Sequence, residues 1–125
     1  MLSTLSLQVA SGVRDELPDM PIPPSLIVEG NPVARGAVLT QSEDRKISSG
    51  IWSCEPGKFE WTYDWDEFIH VLEGEVEITA DETERIILLR SGDTAHFPLG
   101  MKAQWHVKKR VRKFFVIRTP EPFAL

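Results

Sequence analysis

From Gly36 onward the chain breaks about every ten residues, and that rhythm limits what it can fold into. Short runs rich in β-branched, aromatic and apolar residues alternate with turn clusters. The runs are GAVLT, ISSGIWSC, FEWTY, EFIHVLEG, EVEITA, RIILLR, TAHFP, AQWHV and VRKFFVIR; the clusters between them include QSEDRK, EPGK, DWD, DETE, SGD, LGMK and KKR. Strands at this spacing, separated by Gly, Pro and Asp, indicate an all-β sandwich or barrel. Alternation of period two is clearest in EVEITA, where Val76 and Ile78 face inward and Glu75, Glu77 and Thr79 face water. No amphipathic helix of ten or more residues and no internal repeat is visible. With 125 residues, 42% hydrophobic and 26% charged, the chain fits one globular domain that buries about two thirds of its unfolded surface.

The residues before Gly36 read differently. Pro18, Pro21, Pro23, Pro24 and Pro32 fall close together, which excludes a helix interior or a central strand there. PIPP, residues 21–24, runs extended in polyproline or edge-strand form, and 11–17 has the length of one helical turn. Apolar Ile22, Leu26, Ile27 and Val28 imply that this arm lies on its own barrel or on a neighbour's. The expected organisation is an extended arm over residues 1–35 and a barrel over 36–125.

Composition narrows the function classes. No apolar run approaches the roughly 20 residues of a membrane-spanning helix, and the N-terminus lacks the features of a secretory signal. Cys54 is the single cysteine, which points to a reducing compartment; cytoplasm is the expected location. The net charge is −5, unevenly spread: residues 55–84 hold 11 of 19 acids, and 102–118 hold seven of 14 bases. The run KKRVRK fits an exposed strand face set against an acidic strand better than a nucleic-acid strip.

Two segments carry a family resemblance. GKFEWTYDWDEFIHVLEG (57–74) and GDTAHFPLGMKAQW (92–105) resemble the two sequence boxes of the cupins, antiparallel jelly-roll barrels also described as double-stranded β-helices. Glu67 and Gly74 keep the first box's separation, and Gly92, Pro98 and Gly100 keep the second's. GIWSCEPGKFEWTY, VLEGE and the final VRKFFVI are similar to small single-domain cupins of the ureidoglycine aminohydrolase and ethanolamine-utilisation type. The match covers about residues 36–118. The glycines are expected at tight turns with positive φ.

The resemblance also implies where chemistry would sit. Metal-binding cupins hold a divalent ion with His, His, Glu and His. Here those positions carry Trp61, Tyr63, Glu67 and Ala103, so one ligand of four remains and no resident metal is expected. Strand parity puts Phe59, Trp61, Tyr63, Ala103 and Trp105 inward, with Trp52 and Cys54 on a neighbouring strand. His70, His96 and His106 face away, Cys54 is an inert thiol, and the DWDE aspartates belong to a turn. The expected site is an aromatic cage of Trp52, Phe59, Trp61, Tyr63 and Trp105 with Ala103 around Glu67, suited to a small amine or cation. Glu67 is also the candidate general acid/base. The alternatives are a C–N bond hydrolase of the ureidoglycine aminohydrolase kind and a scaffold with a plugged barrel. A homodimer, with the arm or an edge strand packed on the partner, completes the expectation.

Overall fold

A computed structural model describes residues 7–11, 16–80 and 84–124. The helical turn expected over 11–17 and the DETE turn fall largely outside them. After a 3-10 turn at Pro24–Leu26 come eight strands: β1 (Ile27–Gly30), β2 (Ala34–Gln41), β3 (Ile47–Cys54), β4 (Gly57–Thr62), β5 (Asp66–Ala80), β6 (Ile86–Arg90), β7 (Thr94–Phe97) and β8 (Lys102–Arg118). Among the described residues no helix is long and apolar enough to cross a membrane.

The two long strands build the barrel. β5 and β8 pair antiparallel along nearly their whole length. The first half of β8 also pairs with β4, and the second half with β3. β5 carries β7 on its first half and β6 on its second. Two five-stranded half-sheets result, β1-β4-β8-β5-β6 and β2-β3-β8-β5-β7, sharing the two long strands. Their inner faces meet: Trp105 from the first half-sheet lies 5.6 Å, centroid to centroid, from both Trp52 and Phe97 of the second. This is the all-β jelly roll expected.

Sequence reading placed a break after VLEG and another at KKR, and the structure has neither. Both segments lie inside continuous strands, where the pairing of β5 with β8 shifts register between Val71 and Val76. Gly74 sits in that shift with φ +91, and a Cβ there would lie 2.0 Å from the Arg110 carbonyl oxygen. The glycine therefore serves a bulge and a close backbone approach where the strand passes between half-sheets, rather than a tight turn. Gly92 and Gly100 do sit in turns, at φ +95 and +91.

Part of the proline-rich segment belongs to the sheet. β1 pairs with β4 alone, an edge position that needs few ladder donors, and β2 begins at Ala34. Upstream, Met20 N–H donates to the Ala34 carbonyl and Gly36 N–H to the Pro18 carbonyl, so the segment also covers the free edge of β2. Leu17 and Ile22 are buried there.

The basic run is divided. Lys108 and Lys109 pair with Glu77 and Glu75 at 3.6 and 3.4 Å, and Arg110 reaches Glu55 and Glu73, as expected of a basic strand beside an acidic one. Arg112 and Lys113 depart from that reading, because both are buried.

Candidate functional site

The inner faces of the half-sheets do not close completely. Between them lies a cavity of about 270 Å³. β3 contributes Trp52, β4 contributes Phe59 and Trp61, and the β4–β5 connection contributes Tyr63 and Trp65. β5 adds Glu67, and β8 adds Trp105 and Lys113 with Phe115 and Ile117. Met20, Pro21 and Ile22 from the N-terminal segment and Phe123 from beyond β8 complete the wall. All four tryptophans of the chain line this space.

Six of the seven residues expected at the site are thus brought together: Trp52, Phe59, Trp61, Tyr63, Glu67 and Trp105. Ala103 is the exception and needs correction. It is fully buried, paired with Trp61 on one side and Ala80 on the other, and absent from the cavity wall. Its single methyl group is too short to reach past those neighbours.

The rings form a continuous packed layer. Phe59 stacks on Trp105 at 5.9 Å, and Tyr63 stacks on Phe97 at 4.8 Å. The Trp105 indole N–H donates to the Tyr63 hydroxyl at 3.0 Å. Burial pushes the Tyr63 hydroxyl well above its usual range, and the charge of Glu67 pushes it further, against the smaller opposing effect of the Trp105 bond. Tyr63 therefore stays protonated at any physiological pH.

The decisive side chain is one that sequence reading left in the surface strip. The Lys113 ammonium lies 2.6 Å from Glu67 Oε2, and the side chains are only 8% and 7% exposed. It also sits over the Trp52 and Trp105 rings, 4.4 and 4.7 Å from their centroids. The other carboxylate oxygen, Oε1, accepts the Trp65 indole N–H at 3.0 Å. Each ring contributes about 0.5–2 kcal/mol to holding a cation, whereas an unpaired buried charge costs several. The carboxylate therefore fixes the ammonium, and the rings complete its shell. The cage expected for an external cation already holds a cation belonging to the chain.

This bears on metal binding. Among the described residues Glu67 is the one carboxylate on the wall, both its oxygens are engaged, and an ammonium stands where a divalent ion would be repelled. Among the described residues no group of three or more His, Cys, Asp and Glu is arranged to hold a metal. The donor set does not fit the ion that the fold family holds elsewhere.

The remaining candidates lie off the wall. Asp66 binds Arg118 Nη2 at 2.9 Å, His96 Nε2 at 3.1 Å and the Leu99 N–H at 3.3 Å, and these partners, Arg118 foremost, hold its carboxyl below the usual carboxylate range. His70, His96 and His106 do not line the cavity.

Cys54 is buried, and that burial pushes its thiol up to about 12. At pH 8 only about one thiol in ten thousand is then ionised, so native Cys54 should react with iodoacetamide at least 100-fold more slowly than the chain in urea. The linkage has a definite sign. The unfolded thiol ionises near 9, before the folded one, so this contribution favours unfolding increasingly as pH rises from about 9 toward 12. Tyr63 acts in the same direction. A urea midpoint that stayed constant from pH 8 to 11 would contradict both.

Residues 41–115 match the family model described as the EutQ-like cupin domain, which is more than half of the chain. The chain belongs to the EutQ-like cupin family. It is 29% identical over 90 residues to a Clostridioides difficile protein named acetate kinase EutQ, covering 70% of this chain and 56% of that one. This EutQ-like cupin thus spans little more than half the length of that relative. The structure of the C. difficile EutQ protein matches with a TM-score of 0.63 and 25% identity, covering 73% of this chain and 66% of that one. A DUF861 family protein from Thermotoga maritima is 37% identical, with a TM-score of 0.50 over 52% of this chain and 73% of its own. A further DUF861 protein, from Pseudomonas syringae pv. tomato, shares the fold at a TM-score of 0.73 and 22% identity, over 82% of this chain and 44% of its own.

Proposed function

We propose that this EutQ-like cupin binds a small, mainly apolar molecule carrying one neutral polar group, in a barrel without a resident transition metal. The observation that carries the reading is the cavity: about 270 Å³, walled by aromatic rings, with one buried, charge-balanced pair. That volume lies just under the roughly 300–1,000 Å³ of drug-sized ligand sites, and ring walls with few polar groups are typical of such pockets. A hydroxyl, amide or carbonyl can exchange hydrogen bonds with Lys113 and Glu67 while its carbon chain lies on the rings. The existence of the cavity favours this over a plugged scaffold.

An external amine, the ligand suggested by an open carboxylate, is disfavoured. It would have to displace Lys113 and leave that ammonium buried without its partner, at a cost of several kcal/mol. Hydrolysis of a C–N bond would need Glu67 turned to a water, yet Oε1 is held by Trp65 and Oε2 faces Lys113, the group with which it can exchange a proton. The kinase activity in the C. difficile relative's name is not carried over, because Lys113 is the single cation on the described wall and Glu67 already neutralises it.

The test is a matched titration. Neutral alcohols, amides and ketones of four to six carbons should quench or shift tryptophan fluorescence and raise Tm; alkylamines of the same length should not. At 100 times Kd the ligand contributes about 2.7 kcal/mol, a rise of several degrees. Added zinc or manganese should leave Tm unchanged. Silence toward every neutral compound would end the binding reading, and a one-to-one metal response would end the metal-free one.

A further inference from the structure

We infer that Lys113 captures small apolar aldehydes covalently, as an iminium on Nζ. The inference rests on the cavity admitting small apolar molecules and adds a reaction to it. Three observations carry it together. Lys113 is the one lysine on the cavity wall, whereas Lys58, Lys102, Lys108 and Lys109 form ion pairs at the surface. Its Nζ lies 2.6 Å from Glu67 Oε2, a contact short enough for direct proton transfer. Trp52 and Trp105 cover the nitrogen at 4.4 and 4.7 Å, and their faces would hold an iminium cation as they hold the ammonium.

The step balances within the pair. Glu67 takes a proton from the ammonium, and the neutral amine adds to the carbonyl carbon, sending the π electrons to oxygen. A proton passes from nitrogen to that oxygen and gives the carbinolamine. Glu67 then returns its proton to the hydroxyl, which leaves as water while the nitrogen lone pair forms C=N. Ammonium and aldehyde become iminium and water, Glu67 ends as the carboxylate, and the net charge of the pair is the same at the end as at the start. The paired charges are exchanged for a neutral amine and acid only transiently, across the 2.6 Å contact.

The experiment incubates the full chain with butanal and sodium cyanoborohydride, followed by intact mass measurement and peptide mapping. The expected result is one butyl group per chain on Lys113, formed at least tenfold faster than on any surface lysine and slowed by excess 1-butanol. Glu67→Gln should slow the Lys113 adduct at least tenfold, and Lys113→Arg should abolish it. Labelling spread over surface lysines without preference for Lys113 overturns the proposal in the native chain, whether or not the variants fold. So does an unchanged rate in a folded Glu67→Gln protein. If 1-butanol shifts the tryptophan signal but no adduct forms on Lys113, capture fails and binding stands. If 1-butanol does nothing and no adduct forms, both fail.

Discussion

Lys113→Met is expected to cost about 3–5 kcal/mol of folding stability, because it strands the buried Glu67 carboxylate without its cation. Glu67→Leu should cost a comparable amount by stranding the ammonium, since two ring faces together contribute at most a few kcal/mol and cannot replace a carboxylate. Removing both, as Lys113→Met with Glu67→Leu, should cost far less than the sum of the single losses. Apolar side chains of similar volume satisfy such a position about as well as an ion pair does. Urea denaturation of the four proteins closes the cycle, and the coupling should exceed about 1.5 kcal/mol. Additive single effects would mean that the pair is not held as described, and the proton transfer argued for Lys113 would lose its footing.

The same pair explains why the site was only half legible in the sequence. Parity along β4 placed Phe59 and Trp61 on the wall, and the register Phe59↔Trp105 joined β4 to β8 with the rings together. Parity along β8 breaks once, at exposed Lys109 beside the register shift: Ala103, Trp105 and Val107 are buried before it, and Val111, Lys113, Phe115 and Ile117 after it. Counting in twos from Trp105 therefore reaches Lys113, but its run, KKRVRK, invites a reading by charge, and charge argues for solvent. Burial of the carboxylate won over the usual exposure of lysine, because each charge lowers the cost of burying the other. Ala103 was misplaced for the opposite reason. Its parity was right, but parity fixes direction and not reach. Met20, Pro21, Ile22 and Phe123 close the cavity from the two ends of the chain, and no local pattern announces a contact at that separation.

The second large effect belongs to the frame. Gly74→Ala should destabilise the protein by roughly 2–6 kcal/mol, combining about 1–3 for a side chain held at positive φ with a similar amount for overpacking. The neighbours are unyielding: an added Cβ would lie 2.0 Å from the Arg110 oxygen and 2.7 Å from the Arg110 carbonyl carbon and Val111 Cα, all backbone. Relief requires β8 to move away from β5 at the point where both pass between half-sheets, at Arg110, three residues before Lys113, and at Gly74, seven after Glu67. The β5–β8 pairing that brings the Lys113 side chain within reach of Glu67 would loosen with it. Gly92→Ala supplies the control, because Gly92 has nearly the same φ, +95, with nothing within 4 Å of an added Cβ. It should lose only the conformational part, about 1–3 kcal/mol. Urea midpoints at unchanged m-value measure the difference, which isolates the backbone contact from the φ penalty. If Gly74→Ala were no worse than Gly92→Ala, close approach at the strand crossing would not be what holds the two halves of the barrel in register.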